Sequence, residues 1–233
     1  MDIRQDVLER FLRYVKIDTQ SEDGVEDRYP STAKQLDLSR LLVDELKELG
    51  LEAVEMDKHG YVTATLPANI PEGVSAAAKL PVVGLLAHVD TYHEVSGKDV
   101  KPVLHENYDG GPLTLPKSDT PISPEDNPDL PLYKGDTIDT SEGPTLLGAD
   151  DKAGVAEIMT LMALFRSDAS LPHPVIRVGF TPDEEVGRGT DFFDVKKFAA
   201  DVAYTLDGSG MGEVEDETFC ADTATVSIKG IDV

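Results

Sequence analysis

The sequence predicts an α/β fold in which a central sheet is flanked by helices. Short apolar runs of strand length alternate with segments of helical periodicity, which is the pattern typical of such folds. The chain has 233 residues, 40% of them hydrophobic, so it could bury a substantial core as one large domain or as parts of two. These patterns do not fix the direction of the strands.

Two amphipathic helices are predicted at the N-terminal end of the chain. The first extends from Asp2 to about Ile17, and Asp2 together with Gln5 resembles a capping box. The second follows a polar loop. The segment Thr32–Gln35 has the same capping pattern, and Gly50 is placed to end the helix.

Five later segments are predicted as strands, because they are apolar or alternating stretches bounded by turn residues. A long insertion rich in Pro, Gly and Asp separates the third strand from the fourth, and we expect it to be irregular with one or two short strands. The strands are Leu51–Met56, Tyr61–Leu66, Pro81–Ala87, Val175–Phe180 and Val202–Leu206, the insertion covers 96–141, and the later helices are Lys152–Phe165 and Phe192–Phe198.

Four polar motifs accompany these elements. Three follow a predicted strand at its carboxyl end and one opens a helix, which is where open α/β sheets gather their ligands. Together they supply His, Asp, Glu and Asp, a ligand set that zinc and similar divalent metals prefer. The motifs are Ala87–Thr91 with His88 and Asp90, Leu147–Gly154 with Asp150 and Asp151, Thr181–Gly187 with Glu184 and Glu185, and Thr205–Ser209 with Asp207.

The first two motifs fit either a metal site or an ordinary structural role. His88 and Asp90 project to one side of an extended segment, where one could bind a metal and the other support it. Alternatively, His88 caps the strand. Asp150 and Asp151 at a helix N-terminus are placed to bridge two cations, or they are an N-cap residue beside a solvated one.

The later acidic residues also fit either a site role or an ordinary structural role. Glu184 and Glu185 are adjacent and face different directions, which suits a metal ligand beside a catalytic base, although an exposed acidic turn is the alternative. We assign no site role to the remaining acidic run or to the other histidines. These are Glu213, Glu215, Asp216 and Glu217, and His59, His93, His105 and His173.

The composition excludes several classes of partner. The formal net charge of −24 argues against binding to nucleic acid or to an anionic membrane. The single cysteine, Cys220, cannot form an internal disulfide. The N-terminus lacks the apolar region of a signal peptide, and no stretch approaches the ~20 apolar residues of a membrane span, so we expect a soluble cytoplasmic protein.

The four motifs, their order and the sequence between them resemble the tripeptide aminopeptidases of the M20 metallopeptidase family. The resemblance extends from the first helix to Val233 and includes Ser96–Lys98 and Glu106–Tyr108 in the insertion. It implies a mixed central sheet flanked by helices. It also implies that residues 1–217 are the N-terminal part of the catalytic domain, and that 218–233 begin a truncated lid or dimerisation-type domain.

The resemblance further implies two zinc ions and a role for each ligand. His88 and Asp207 would bind one zinc, Glu185 would bind the second, and Asp150 would bridge both. The peptide bond that follows Asp150 would be cis. The family pattern needs a second histidine on the second zinc, and this chain stops before reaching it. We therefore expect the chain alone to be inactive or nearly so.

The implied reaction is release of the N-terminal residue from tripeptides by attack of a water held between the two metals. Glu184 would be the general base, and Asp90 would orient His88. Small peptides would be the substrates, and a homodimer is compatible with the family. Two alternatives remain open: another M20 hydrolase, such as a carboxypeptidase or amino-acyl deacylase, and a non-catalytic metal-binding remnant.

Overall fold

The computed structural model describes residues 1–71, 80–208, 210, 212–217, 224, 226 and 228–230. Two helices and five strands come first along these ranges, and helices and strands alternate after them. The helices are α1 (Ile3–Tyr14), α2 (Gln35–Glu48), α3 (Ala149–Ser167) and α4 (Val195–Phe198). The strands are β1 (Glu52–Met56), β2 (Val62–Leu66), β3 (Val83–His88), β4 (Val103–His105), β5 (Ile138–Thr140), β6 (Ile176–Thr181) and β7 (Val202–Thr205).

A mixed five-stranded sheet forms the centre of the molecule, in the order β1-β2-β6-β3-β7. Strands β1 and β2 form an antiparallel pair, and β2 also runs antiparallel to β6. Strand β3 is parallel to both β6 and β7, so that Leu85 pairs with Val178 on one side and with Tyr204 on the other. The carboxyl ends of these three parallel strands therefore meet at one edge, and the predicted α/β fold with a mixed sheet is confirmed.

The hydrophobic core joins the sheet to the first three helices. Side chains from α1, α2 and α3 pack against apolar side chains of β2, β3 and β6, and burial of this surface is the main stabilising contribution to the fold. The periodic apolar positions of the sequence supply the helical part. Fully buried members of the core include Tyr14, Leu38, Leu42, Leu46, Val62, Val155, Ile158, Met159, Met162, Val178 and Phe180.

Helix α1 begins as predicted, but without a complete capping box. The carboxylate of Asp2 accepts hydrogen bonds from the backbone N–H groups of Arg4 and Gln5, as an N-cap residue does. The side chain of Gln5 does not return to Asp2. Its amide donates instead to Glu9, one turn further along the helix, at 2.7 Å.

Helix α2 ends as predicted but begins differently. Gly50 has a positive φ of 75° and follows the last helical turn, which confirms its role as the stop residue. The N-cap position is Lys34, which makes no side-chain cap. The hydroxyl of Thr32 donates to the carbonyl oxygen of Gln20 instead, and Gln35 turns into the protein interior, so the predicted capping pair is wrong.

The remaining elements follow the predictions with small shifts. The insertion is largely irregular and contains the antiparallel pair β4 and β5, as expected. Helix α4 is shorter than predicted because Asp194 is its N-cap and accepts from the N–H of Lys197. The predicted opening of a lid domain over 218–233 lies mostly outside the described residues. No helix in the described part is long and apolar enough to cross a membrane.

Candidate metal site

His88 is the last residue of β3, and one nitrogen of its ring is hydrogen-bonded to the backbone. Its side chain is 2% exposed, and the Nδ1 atom lies 3.0 Å from the carbonyl oxygen of Asp90. Because a carbonyl oxygen can only accept, Nδ1 carries the proton in this bond. The Nε2 atom faces the site and lies 2.9 Å from Oδ1 of Asp150. Backbone contact thus orients the ring and leaves the second nitrogen for a ligand.

Asp150 and Asp151 occupy different environments at the start of α3. Their backbone dihedrals are not helical, and the peptide bond between them is cis, as the family resemblance implies. The side chain of Asp150 is 70% exposed and faces the site. Asp151 is buried, and its carboxylate accepts from the N–H groups of His88 at 2.9 Å and Gly154 at 3.2 Å. The capping residue of this pair is therefore Asp151.

Glu184 and Glu185 lie on the glutamate turn, a single 3-10 turn over Glu184–Val186 that follows β6 after two intervening residues. Their backbone N–H groups donate to the two carboxylate oxygens of Asp90, at 3.0 and 3.1 Å. Asp90 is fully buried, and its Oδ1 atom also lies 3.4 Å from Nδ1 of His88. One carboxylate thus contacts both the histidine and the turn that carries the glutamates.

Asp207 completes the arrangement from the end of β7. Its Oδ2 atom lies 3.9 Å from Nε2 of His88. Within the described residues, two sets of potential ligand atoms each lie within 4.8 Å of one another, and both include His88. The first set adds Glu184 and Asp207, and the second adds Asp150 and Glu185. We call His88, Asp150, Glu184, Glu185 and Asp207 the ligand cluster.

The electrostatics of the ligand cluster favour a bound cation. Burial and the neighbouring carboxylates raise the pKa of Glu185 to about 7, and burial also raises the pKa of Glu184 and of Asp207. Burial opposes the charge on His88, but hydrogen bonds to Asp150 and Asp90 raise its pKa to about 11. Four carboxylates around one imidazole repel one another unless protons or metal ions balance their charge. The donor set therefore fits divalent metal ions.

The sequence patterns missed three buried groups beside the ligand cluster. The sequence offers Asp151 a capping or cation-binding role but does not predict its burial, which raises its pKa to about 8. Lys152 is almost completely buried, donates to the carbonyl oxygen of Ile17 at 2.7 Å, and has its pKa lowered to about 7 by burial. Asp183, next to Glu184, is also fully buried. Asp151 and Lys152 lie between apolar residues, which was the available signal for their burial, whereas Asp183 stands in an acidic run and offers no such signal.

Comparison with known proteins gives relatives over nearly the whole chain. Peptidase T of Clostridium acetobutylicum is 50% identical over 230 residues, covering 98% of this chain and 55% of the relative. Peptidase T of Geobacillus thermodenitrificans is 50% identical over 232 residues, covering 99% of this chain and 55% of the relative. The chain thus spans little more than half the length of these relatives. No protein-family model matches it.

Solved structures share the fold. Aminopeptidase PepT from Bacillus cereus superposes with a TM-score of 0.60 at 23% identity, covering 89% of this chain and 44% of that one. A tripeptidase from Staphylococcus aureus gives a TM-score of 0.58 at 24% identity, covering 88% and 44%. At these identities the superpositions support the fold, and the sequence relatives carry the assignment. Over nearly its whole length, this chain is therefore homologous to proteins named peptidase T.

Proposed function

We propose that this chain carries most of the metal site of an aminopeptidase that releases the N-terminal residue from tripeptides. The observation that carries this proposal is the convergence of one histidine and four carboxylates at the edge where β3, β6 and β7 end. The relatives named peptidase T support the choice of reaction. Because the chain spans 55% of their length, the activity and the substrates are our proposal.

We assign the metal ligands as the family resemblance implies. His88 and Asp207 would hold one zinc ion, Glu185 would hold the second, and Asp150 would be shared by the two. The distances are compatible with this division, since Glu185 groups with Asp150 and Asp207 groups with His88, and His88 belongs to both sets. When bound, the ions would supply the positive charge that polarises the scissile carbonyl.

Glu184 is proposed as the general base. Its side chain is 51% exposed, so a substrate could reach it, and its Oε2 atom lies 3.8 Å from Nε2 of His88. Asp90 is proposed to orient His88, and its hydrogen bonds to the glutamate turn also hold Glu184 in place. A base at this position can take a proton during attack and pass it to the departing amine.

The proposal is tested by separating metal binding from hydrolysis. Zinc bound per chain would be measured after dialysis, and turnover would be followed on a free tripeptide and on the same peptide with a blocked N-terminus. An aminopeptidase requires the free amine, whereas a carboxypeptidase or deacylase does not. Metal binding with no hydrolysis of either peptide would favour a non-catalytic metal-binding chain.

Glu184→Gln gives the matching variant. We expect zinc binding to change little, because the assigned ligands remain, and any tripeptide turnover to fall by several orders of magnitude. Glu215→Gln is the control, since Glu215 is exposed and belongs to the solvated acidic run. If the original chain has measurable turnover, a Glu184→Gln variant that turns over as fast as the Glu215→Gln control would refute the assignment of the base. Cytoplasmic location and a homodimer stay predictions, and light scattering of the purified chain checks the second.

A further inference from the structure

Asp183 precedes the glutamate turn and has no part in the chemistry proposed above. Its side chain is fully buried. Its backbone has a φ of 58° and a ψ of 29°, in the left-handed region that residues other than glycine rarely adopt. Such a conformation persists only where surrounding contacts hold it. The contacts of Asp183 therefore decide where the turn after it is placed.

Three hydrogen bonds reach the carboxylate of Asp183 from one short segment. The backbone N–H of Ser31 donates to Oδ2 at 2.6 Å, and the hydroxyl of Ser31 donates to Oδ1 at 2.5 Å. The amide of Gln35 donates to Oδ1 at 2.7 Å. No ion pair among the described residues includes Asp183, so neutral donors alone hold this buried carboxylate.

Gln35 also holds the main chain of Asp183. Its Oε1 atom accepts from the backbone N–H of Asp183 at 3.0 Å, while its NH₂ group donates to the carboxylate. Gln35 is the first residue of α2 and is fully buried. The same side chain thus bonds both the backbone and the side chain of Asp183, which fixes the angle at which the chain leaves β6.

Two buried carboxylates, those of Asp90 and Asp183, hold the glutamate turn through different contacts. Asp90, beyond the end of β3, accepts the N–H groups of Glu184 and Glu185. Asp183 ties the preceding residue to the segment before α2, and its carbonyl oxygen accepts from the N–H of Arg188 at 2.9 Å. The positions of the two glutamate side chains depend on both attachments.

We propose that Asp183 is a positioning residue, which sets the placement of Glu184 and Glu185 relative to His88 by anchoring the glutamate turn to Ser31 and Gln35. This inference rests on the proposed function, in which Glu185 binds a metal ion and Glu184 acts as the general base. An asparagine at 183 would keep the size of the side chain. Its NH₂ group would face a donor in at least one of the three bonds, because all three partners donate.

The test compares Asp183→Asn with Glu45→Gln. Glu45 is also a largely buried carboxylate, and it accepts from Arg10, Arg13 and Tyr14 between α1 and α2, away from the ligand cluster. Both variants lose a charge and keep their size. Thermal unfolding of each would show whether their losses of global stability are comparable.

The first measurement is amide hydrogen exchange of the metal-free chain. We expect Asp183→Asn to speed exchange at Glu184 and Glu185 by tenfold or more relative to the original chain, and Glu45→Gln to leave these two amides unchanged. Exchange at these amides that does not respond to Asp183→Asn would overturn the proposal. This readout needs no metal, so it decides the role of Asp183 even if the proposed function fails.

The second measurement is titration with Co²⁺, followed by its visible absorption spectrum. We expect Asp183→Asn to weaken cobalt binding by tenfold or more and to alter the spectrum, while Glu45→Gln binds as the original chain does. Equal weakening in both variants would mean that Asp183 acts only through overall stability, and would overturn the proposal. An original chain that binds no cobalt would count against the proposed function alone, because the exchange measurement still tests the role of Asp183.

Ser31→Ala is the second test variant, for use if the Asp183→Asn chain does not fold. It removes one of the three donors and keeps the buried charge, so the turn should loosen to a smaller extent. We expect a folded chain with faster exchange at Glu184 and Glu185, by about threefold or more. Exchange at the original rate in this folded variant would also overturn the proposal.

Discussion

Replacing Gly154 by alanine should destabilise the protein, although alanine is the better helix former. Gly154 lies in α3, where a Cβ atom would meet the carbonyl oxygen of Leu206 well inside van der Waals contact and Oδ1 of Asp151 at 2.5 Å. A backbone carbonyl cannot rotate away as a flexible side chain can. Helix α3 or the end of β7 would have to shift, and Asp207 would move with it.

The expected magnitude follows from two opposing effects. Alanine gains about 0.8–1.0 kcal/mol over glycine inside a helix. Overpacking of a close contact costs typically about 1–3 kcal/mol, and the shift would also strain the bond from the N–H of Gly154 to Asp151. We therefore expect the free energy of unfolding to fall by about 1–2 kcal/mol net.

Urea unfolding of Gly154→Ala and Gly208→Ala gives the measurement and its control. A Cβ atom at Gly208 would meet no described atom within 4 Å, and the residue lies beside Asp207. The control should change stability by less than about 0.5 kcal/mol. A Gly154→Ala chain as stable as the original, or more stable, would refute the close contact between α3 and the end of β7.

Three other perturbations have expected outcomes. Burial raises the pKa of Asp139 although His105 opposes the shift, so the free energy of unfolding should fall as pH rises from the ordinary carboxyl pKa through the raised one. Asp139→Asn should remove this slope in a urea series over pH, and an unchanged slope would contradict the assignment. Asp151→Ala should lower the free energy of unfolding by about 1–3 kcal/mol, because two buried N–H groups lose their acceptor; a loss below about 0.5 kcal/mol would contradict this role. Zinc at about a hundred times its dissociation constant should raise the free energy of unfolding by about 2.7 kcal/mol, and EDTA should reverse the gain; calorimetry with no shift would argue against a site in the folded chain.

The sequence predicts the helices and strands well, because each depends mainly on residues close to it in the chain. The stop at Gly50 follows from the positive φ that only a glycine adopts without strain, and β3 is recognisable as an apolar run. The convergence of His88 and Asp207 was also predictable, because parallel strands gather their carboxyl ends at one edge.

Long-range polar contacts are the part that local patterns cannot supply. Gln35 stands at the correct place for a capping box, yet its amide reaches Asp183, which lies 148 residues away in the chain. Nothing near Gln35 in the sequence indicates that partner. In the same way, adjacent Asp150 and Asp151 have identical side chains, and only the packed structure decides which one faces the site and which one is buried.

The parallel pairing of β3 with β6 and β7 has a consequence for how the protein folds. Leu85 pairs with Val178, and since 178 − 85 = 93, a segment of that length must close into a loop before the pair forms. Closing so long a loop costs entropy early and slows folding. The ligand cluster gathers at the ends of β3, β6 and β7, and no two of these strands form a hairpin. A metal ion therefore cannot start folding by binding to one short local segment. Metal capture should therefore follow chain collapse, and the rate of refolding should not depend on the metal concentration.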